Sequence, residues 1–229
     1  MKVSIIMSCY NSQETVSKSI ESILNQTYKD IELLLCDDGS IDNTLKILKN
    51  YENFDSRVKV FKNEKNVGLT KSLNSLINES LGTYVARQDD DDFSLSHRIE
   101  TQVIALEDMN LDFITSRATI IGKERLIPGL SFYFPISLLM NFKNPFIHGT
   151  LLIKKDILKE LGSYDERFYY AQDYKLFSEL IARGYKYTTL KEPLYKLNLK
   201  DNISSKFIIE QDYYAKCVRS NKVPNKFYK

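Results

Sequence analysis

Four consecutive aspartates, Asp89, Asp90, Asp91 and Asp92, are the densest chemical feature of this chain. Carboxylate oxygens are hard ligands that suit magnesium or manganese, and a divalent ion held by such a run can bridge the oxygens of a substrate diphosphate. Side chains two apart on an extended segment point the same way, so the pattern predicts that Asp89 and Asp91 face one cation. Left uncompensated, two unit charges about 4 Å apart repel by about 4 kcal/mol at an effective dielectric of about 20. Two further polar clusters stand out, Ser8-Cys9-Tyr10-Asn11 and Asp37-Asp38-Gly39-Ser40. Taken singly, each cluster has an ordinary explanation: a helix cap, a turn, a solvated acidic loop.

Their positions change that balance, because each cluster follows a short apolar run of strand character. Val3 to Cys9, Ile31 to Cys36, Val58 to Phe61 and Tyr84 to Gln88 read as strands. Between them lie segments with apolar residues at helical spacing: Val16, Ile20, Ile23 and Leu24; Leu45 and Leu48; Leu69, Leu73, Leu76 and Ile77. Asn11 or Ser12 is placed to cap the first helix. Strands alternating with helices make a largely parallel sheet, and ligands of such sheets bind outside the carboxyl ends of the strands. Three polar clusters at strand ends therefore converge on one crevice.

Beyond residue 93 the order is less regular. A helix carrying Leu95, Ile99, Val103 and Leu106 is expected, then strands at Phe113 to Ile121 and Gly149 to Ile153, a helix at Tyr174 to Arg183 stopped by Gly184, and an extended Tyr185 to Leu190. Leu130 to Phe146 is rich in aromatics and prolines without clean periodicity, and is expected to shape a cleft. His97 is expected on an exposed helix face.

At 229 residues, 43% hydrophobic and 27% charged, the composition is that of one soluble globular domain over 1–229. It divides into a regular first part (1–92), a less regular second part (93–200) and a basic tail (201–229). No apolar run reaches the roughly 20 residues a spanning helix needs, and the N-terminus enters a strand directly, so a cytoplasmic location is expected. Cys9, Cys36 and Cys217 have no metal-ligand spacing and read as core residues. Scattered basic residues argue against a nucleic-acid partner. The excess of Lys206, Lys216, Arg219, Lys222, Lys226 and Lys229 over Glu210 and Asp212 allows peripheral contact with an anionic membrane face, or a solvated helix.

In consistent order from Val3 to about Leu194, the chain also resembles family 2 glycosyltransferases of the GT-A fold. The matching segments are Ser8-Cys9-Tyr10-Asn11, Asn25-Gln26-Thr27-Tyr28, Asp37-Asp38-Gly39-Ser40, Asn66-Val67-Gly68-Leu69, Arg87-Gln88-Asp89-Asp90-Asp91-Asp92, Tyr164-Asp165-Glu166 and Ala171-Gln172-Asp173-Tyr174. The tail more loosely resembles bacterial lipooligosaccharide or capsule enzymes. The resemblance implies an α/β Rossmann-like fold, mostly parallel with a smaller acceptor-side subregion. It further implies an inverting transfer from a UDP-sugar (galactose, glucose or N-acetylglucosamine) to a glycan or lipid-linked glycan, with Mn2+ or Mg2+ as cofactor. It places Ser8, Tyr10, Asn11, Asp38, Asn66, Lys71, Asp89 and Asp90 around the nucleotide, with Asp38 accepting from the uracil ring. Asp89 and Asp91 become the metal ligands and Asp173 the catalytic base.

Two departures from the family pattern matter. Gln172 stands where the family has an acid, and no histidine follows Pro193-Leu194, which leaves Lys200 as the expected contact to the diphosphate. His148, before Gly149-Thr150, is a candidate for the donor phosphate or sugar, and Tyr169 or Tyr170 for stacking on an acceptor sugar. The alternatives are a non-catalytic nucleotide-sugar-binding partner of another transferase and a nucleotidyltransferase. The latter usually opens with a glycine-rich loop, which Ser8-Cys9-Tyr10-Asn11-Ser12 lacks.

Overall fold

The computed structural model describes residues 1–199 and 207–225. The apolar runs become strands β1 (Val3–Cys9), β2 (Ile31–Asp37), β3 (Val58–Lys62) and β4 (Tyr84–Arg87), linked by helices α1 (Val16–Leu24), α2 (Thr44–Phe54) and α3 (Leu69–Glu79). β1 lies between β2 and β4, and β3 outside β2, all parallel. The sheet continues through antiparallel β8 (Leu152–Lys154) to β6 (Phe113–Ile120), β9 (Tyr187–Leu197) and β5 (Phe93–Ser94), with β7 (Lys123–Ile127) pairing β6. One sheet thus crosses both halves of the chain.

Alternation along the strands explains the layers. Val3, Ile5, Met7 and Cys9 of β1 point to one face and pack with Ile20 of α1, Leu48 of α2, and Ile99 and Val103 of α4 (Arg98–Asp108). Ile6, Leu34 and Cys36 point to the other, against Leu73 and Leu76 of α3, Leu158 of α6 (Lys155–Leu161) and Phe177 of α7 (Gln172–Ala182). Covering both faces buries β1 and β2 along their whole length, which is why they read as continuous apolar runs. Each fully buried Ile or Leu contributes about 1.5–3 kcal/mol. Cys9, Cys36 and Cys217 are buried free thiols.

Several boundaries differ from expectation. Neither Asn11 nor Ser12 caps α1: its N-cap position is Thr15, without a side-chain cap bond, and Asn11 adopts a left-handed φ of 51°. Leu95 precedes α4. His97 occupies that helix's N-cap position and pairs with Glu192 at 3.0 Å. A short 3-10 turn, His148–Thr150, delays the start of β8 to Leu152. β9 runs well past Leu190 and through Pro193. Arg117 pairs Pro193 directly after Ser116 pairs Leu190, so a bulge absorbs the residue that has no N–H to give the ladder. The helix α8 (Ile208–Arg219; basic-tail residues 201–206 and 226–229 lie outside the described residues) is not a loose tail. Tyr214, Cys217 and Val218 bury it against Phe168, Tyr170 and Tyr174.

Candidate active site

The carboxyl ends of β1, β2 and β4 share one edge of the sheet, where Cys9 pairs with Asp37 in register. Asp38 is buried, and its carboxylate accepts from the backbone N–H groups of Val67 (3.0 Å) and Gly68 (2.9 Å) and from Asn63 Nδ2 (2.8 Å). It therefore fixes the Asn66 loop against the end of β2. Gly39 makes that approach possible. Its φ is 73°, and a Cβ there would stand 2.5 Å from the Lys65 carbonyl carbon. Asn11 ties the first cluster to the second, its N–H donating to Ser40 Oγ (3.0 Å) and its Oδ1 accepting from the Ile41 N–H (2.9 Å). Ser8 is buried beneath this edge, whereas Tyr10, Asn66 and Lys71 are exposed along it.

The four aspartates do not continue the strand. Beyond β4 the chain turns at residues 90–91, so the alternation that would aim Asp89 and Asp91 at one ion is absent. Gln88 pegs the turn: its Nε2 donates to Ser19 Oγ and to the carbonyls of Asp89 and Asp92. The Asp89 carboxylate accepts from the buried Arg87 guanidinium at 2.5 Å, and the Asp89 N–H donates to Tyr195 Oη at 3.0 Å. Asp90 accepts from the Tyr10 N–H (3.3 Å) and Asp92 from the Asn198 N–H (2.6 Å). Asp91 accepts from its own backbone N–H.

Burial and the charge of Asp89 raise the carboxyls of this turn, Asp90 to about 6 and Asp91 to about 7, and Asp92 further still. Such a cluster holds its charge only with added positive charge beyond Arg87. Among the described residues no three acids, histidines or cysteines gather as a ready-made metal cage. The donor set nevertheless fits a hard divalent ion of the kind held by one or two carboxylates and completed by ligand phosphate oxygens. Asp91 is the carboxylate left to hold it, with Asp89 engaged by Arg87.

Asp173 lies in the first turn of α7, after Ala171 in a left-handed conformation (φ 52°). Its Oδ1 accepts from the Tyr174 N–H (2.7 Å) and its Oδ2 from Asn144 Nδ2 (2.8 Å). Burial raises its carboxyl and the charge of Asp89 adds to the rise, while the two hydrogen bonds pull against it. Asp173 is thus within electrostatic reach of the acidic turn, and Tyr164 senses Arg87, Asp173 and Asp89 together. His148 meets Tyr164 at 2.6 Å. Burial and the Arg87 charge hold it well below the usual histidine range, so it is neutral. Tyr169 packs on the donor side, with its ring 2.5 Å from where a Gly68 Cβ would sit. Tyr170 is buried against Tyr214 and is not available for stacking on a sugar. Lys200 lies outside the described residues.

Sequence reasoning missed the supports of this site: Arg87, Gln88, Asn144, Tyr164 and Tyr195. Arg87 carried a signal, since a charged residue in a strand buried on both faces requires a partner. A cavity of about 410 Å3 lies elsewhere, in an open groove lined by Pro128, Phe132, Ile136, Pro145 and Tyr187 that contains none of the site carboxylates.

An α/β sheet with helices on both faces and its polar groups gathered at the carboxyl ends of parallel strands defines an open α/β architecture whose ligand site is that sheet edge. The sequence profile of Glycosyl transferase family 2 matches residues 4–162, and the chain belongs to that family. It is 36% identical over 205 residues to the putative glycosyltransferase EpsE of Bacillus subtilis, covering 86% of this chain and 72% of that protein. It is 34% identical over 182 residues to WfgD of Escherichia coli, a UDP-Glc:alpha-D-GlcNAc-diphosphoundecaprenol beta-1,3-glucosyltransferase, covering 78% of this chain and 69% of that one. S. aureus TarS residues 1–349 in complex with UDP-GlcNAc share the fold over 100% of this chain and 68% of theirs (TM-score 0.81, 20% identity). Against a longer TarS chain the match spans 41% of that length. The Pyrobaculum calidifontis mannosyltransferase PcManGT, in complex with GDP-Man and Mn2+, shares the fold with a TM-score of 0.75 at 17% identity, over 97% of this chain and 65% of that one. The chain is a glycosyltransferase, which sets aside the non-catalytic and nucleotidyltransferase readings.

Proposed function

We propose that this enzyme transfers galactose, glucose or N-acetylglucosamine from a UDP-sugar, with inversion, to a hydroxyl of a glycan or lipid-linked glycan in the synthesis of a bacterial surface polysaccharide. The observation that carries this reading is the setting of Asp173, in the first turn of a helix with its carboxylate held by Asn144 Nδ2 and the Tyr174 N–H, and raised by burial and by the charge of Asp89 in the acidic turn. Inversion is an in-line displacement, so the acceptor hydroxyl and the leaving diphosphate occupy opposite sides of the sugar carbon. The UDP-Glc donor of WfgD and the UDP-GlcNAc held by TarS favour a UDP-sugar donor.

Ser8, Tyr10, Asn11 and Asp38 form the wall for the nucleoside, with Asn66 and Lys71 at its rim. Asp38 reaches the base as part of the loop it fixes, since protein donors already engage its carboxylate. Asp91, with Asp89 or Asp90 beside it, would hold Mn2+ or Mg2+, which when bound offsets charge on the leaving diphosphate. Asp173 takes the proton of the acceptor hydroxyl, a role worth about a hundred- to ten-thousandfold in rate. Burial raises its basicity toward working pH, and Asn144 orients the carboxylate. Neutral His148 is half-buried and held by Tyr164, and is the candidate of that pair for a hydrogen bond to the sugar. A screen of nucleotide sugars for nucleotide release tests this reading. The expected result is release from one UDP-sugar, stimulated by acceptor and abolished by chelator. Turnover indifferent to chelator would remove the metal role of Asp91.

A further inference from the structure

The segment Leu130–Phe142 contains no charged residue, yet much of it faces solvent. Leu130 is 83% exposed, Tyr133 69%, Phe134 55% and Phe142 69%. Its short helices, Leu130–Tyr133 and Ile136–Leu139, are joined at Phe134-Pro135, and neither buries a side chain completely. Water-facing apolar and aromatic side chains concentrated in one element mark an interaction surface.

Charge and position indicate what covers it. The exposed Lys123 and Arg125 precede the segment and Lys143 follows it, while α8 brings Arg219 against it, with the exposed Lys216 on that helix and Lys222 just past its end. Arg219 Nη1 donates to the Phe142 carbonyl at 3.2 Å. Glu124, Glu210 and Asp212 are the opposing acids in these stretches, and Asp212 is paired with Lys216 and Arg219. Apolar and aromatic anchors ringed by cations match the boundary between headgroups and acyl chains of an anionic bilayer. The surface also adjoins the acceptor side of the site. Tyr174 Oη donates to the Met140 carbonyl, and Asn144, two residues past Phe142, holds Asp173.

We propose that Leu130–Phe142 and the cations around it dock this enzyme on an anionic lipid surface, so that a lipid-linked acceptor arrives at Asp173 from the membrane side. This rests on the acceptor class given under Proposed function, and it joins cations of the basic tail to an apolar surface beside the acceptor side of the site.

The test is flotation of the full chain with vesicles of phosphatidylcholine alone and of phosphatidylcholine with phosphatidylglycerol. The expected result is binding to the anionic vesicles, weakened by salt. The double substitution Leu130→Ser/Phe134→Ser should weaken that binding by about tenfold or more. Lys143→Glu/Lys222→Glu should weaken binding to anionic vesicles alone. Circular dichroism checks that the variants are folded. Nucleotide release in solution is measured alongside and should not change in Leu130→Ser/Phe134→Ser. Failure of that release in the wild type would count against the catalytic reading and leave the vesicle result standing. Wild-type protein that ignores anionic vesicles would overturn the proposal, as would a double variant that floats like the wild type. So would light scattering showing a dimer that Leu130→Ser/Phe134→Ser dissolves.

Discussion

The donor and acceptor sides of this site are built by different means. On the donor side, parallel strands deliver Ser8, Asp37 and the acidic turn to one sheet edge, with Ser8 opposite Cys36 and Cys9 opposite Asp37 in strict register. On the acceptor side, Asp173 depends on a left-handed Ala171 and on Asn144 reaching from a loop twenty-nine residues away. The first arrangement is anchored in the core, the second in a few side-chain hydrogen bonds. Damage to the donor side should therefore cost stability and donor binding together, and damage to the acceptor side should cost turnover with the fold intact.

The largest effect expected is that of Asp173→Asn, which should lower kcat by about a hundred- to ten-thousandfold while leaving donor affinity and thermal stability close to wild type. Steady-state kinetics with a melting curve checks both halves of the contrast. Arg87→Met should do the opposite. Removing the guanidinium leaves Asp89 without its partner beside three other acids, and a loss of about 3 kcal/mol in unfolding free energy is expected in a denaturant titration. Gly39→Ala places a Cβ against the Lys65 backbone at a φ of 73°. It should cost about 1–2 kcal/mol and raise the donor KM as the Asn66 loop shifts.

The smallest and most local change is Asn144→Ala. The Asn144 amide favours the ionised form of Asp173, so its loss should move the acidic limb of the pH profile of kcat/KM upward, because the base must be ionised to act and is lost as pH falls through its pKa. An unmoved acidic limb in Asn144→Ala would separate Asp173 from proton transfer.

The same division governs what was legible in the sequence. Val3–Cys9 was read to the residue, because a strand covered on both faces is apolar throughout. Asp173 was reached only through the motif around it, since an acid near a helix start is as readily a cap. β5 and β7 went unseen, being short and without alternation. The geometry of the acidic run was misread because the pegging contacts of Gln88 reach Ser19 and the far side of the turn, and the Tyr195 hydroxyl comes from more than a hundred residues away. Tertiary bonds of that span leave no local pattern.

The central claim, that Asp91 serves the leaving diphosphate and Asp173 the incoming hydroxyl, is tested most directly by calorimetric titration of UDP with Mn2+ into Asp91→Asn and Asp173→Asn. Wild type and Asp173→Asn are expected to bind UDP alike and only with the metal, whereas Asp91→Asn should lose the metal-dependent part. Undiminished UDP binding by wild type in chelator, full metal-dependent binding by Asp91→Asn, or loss of UDP binding in Asp173→Asn would contradict it.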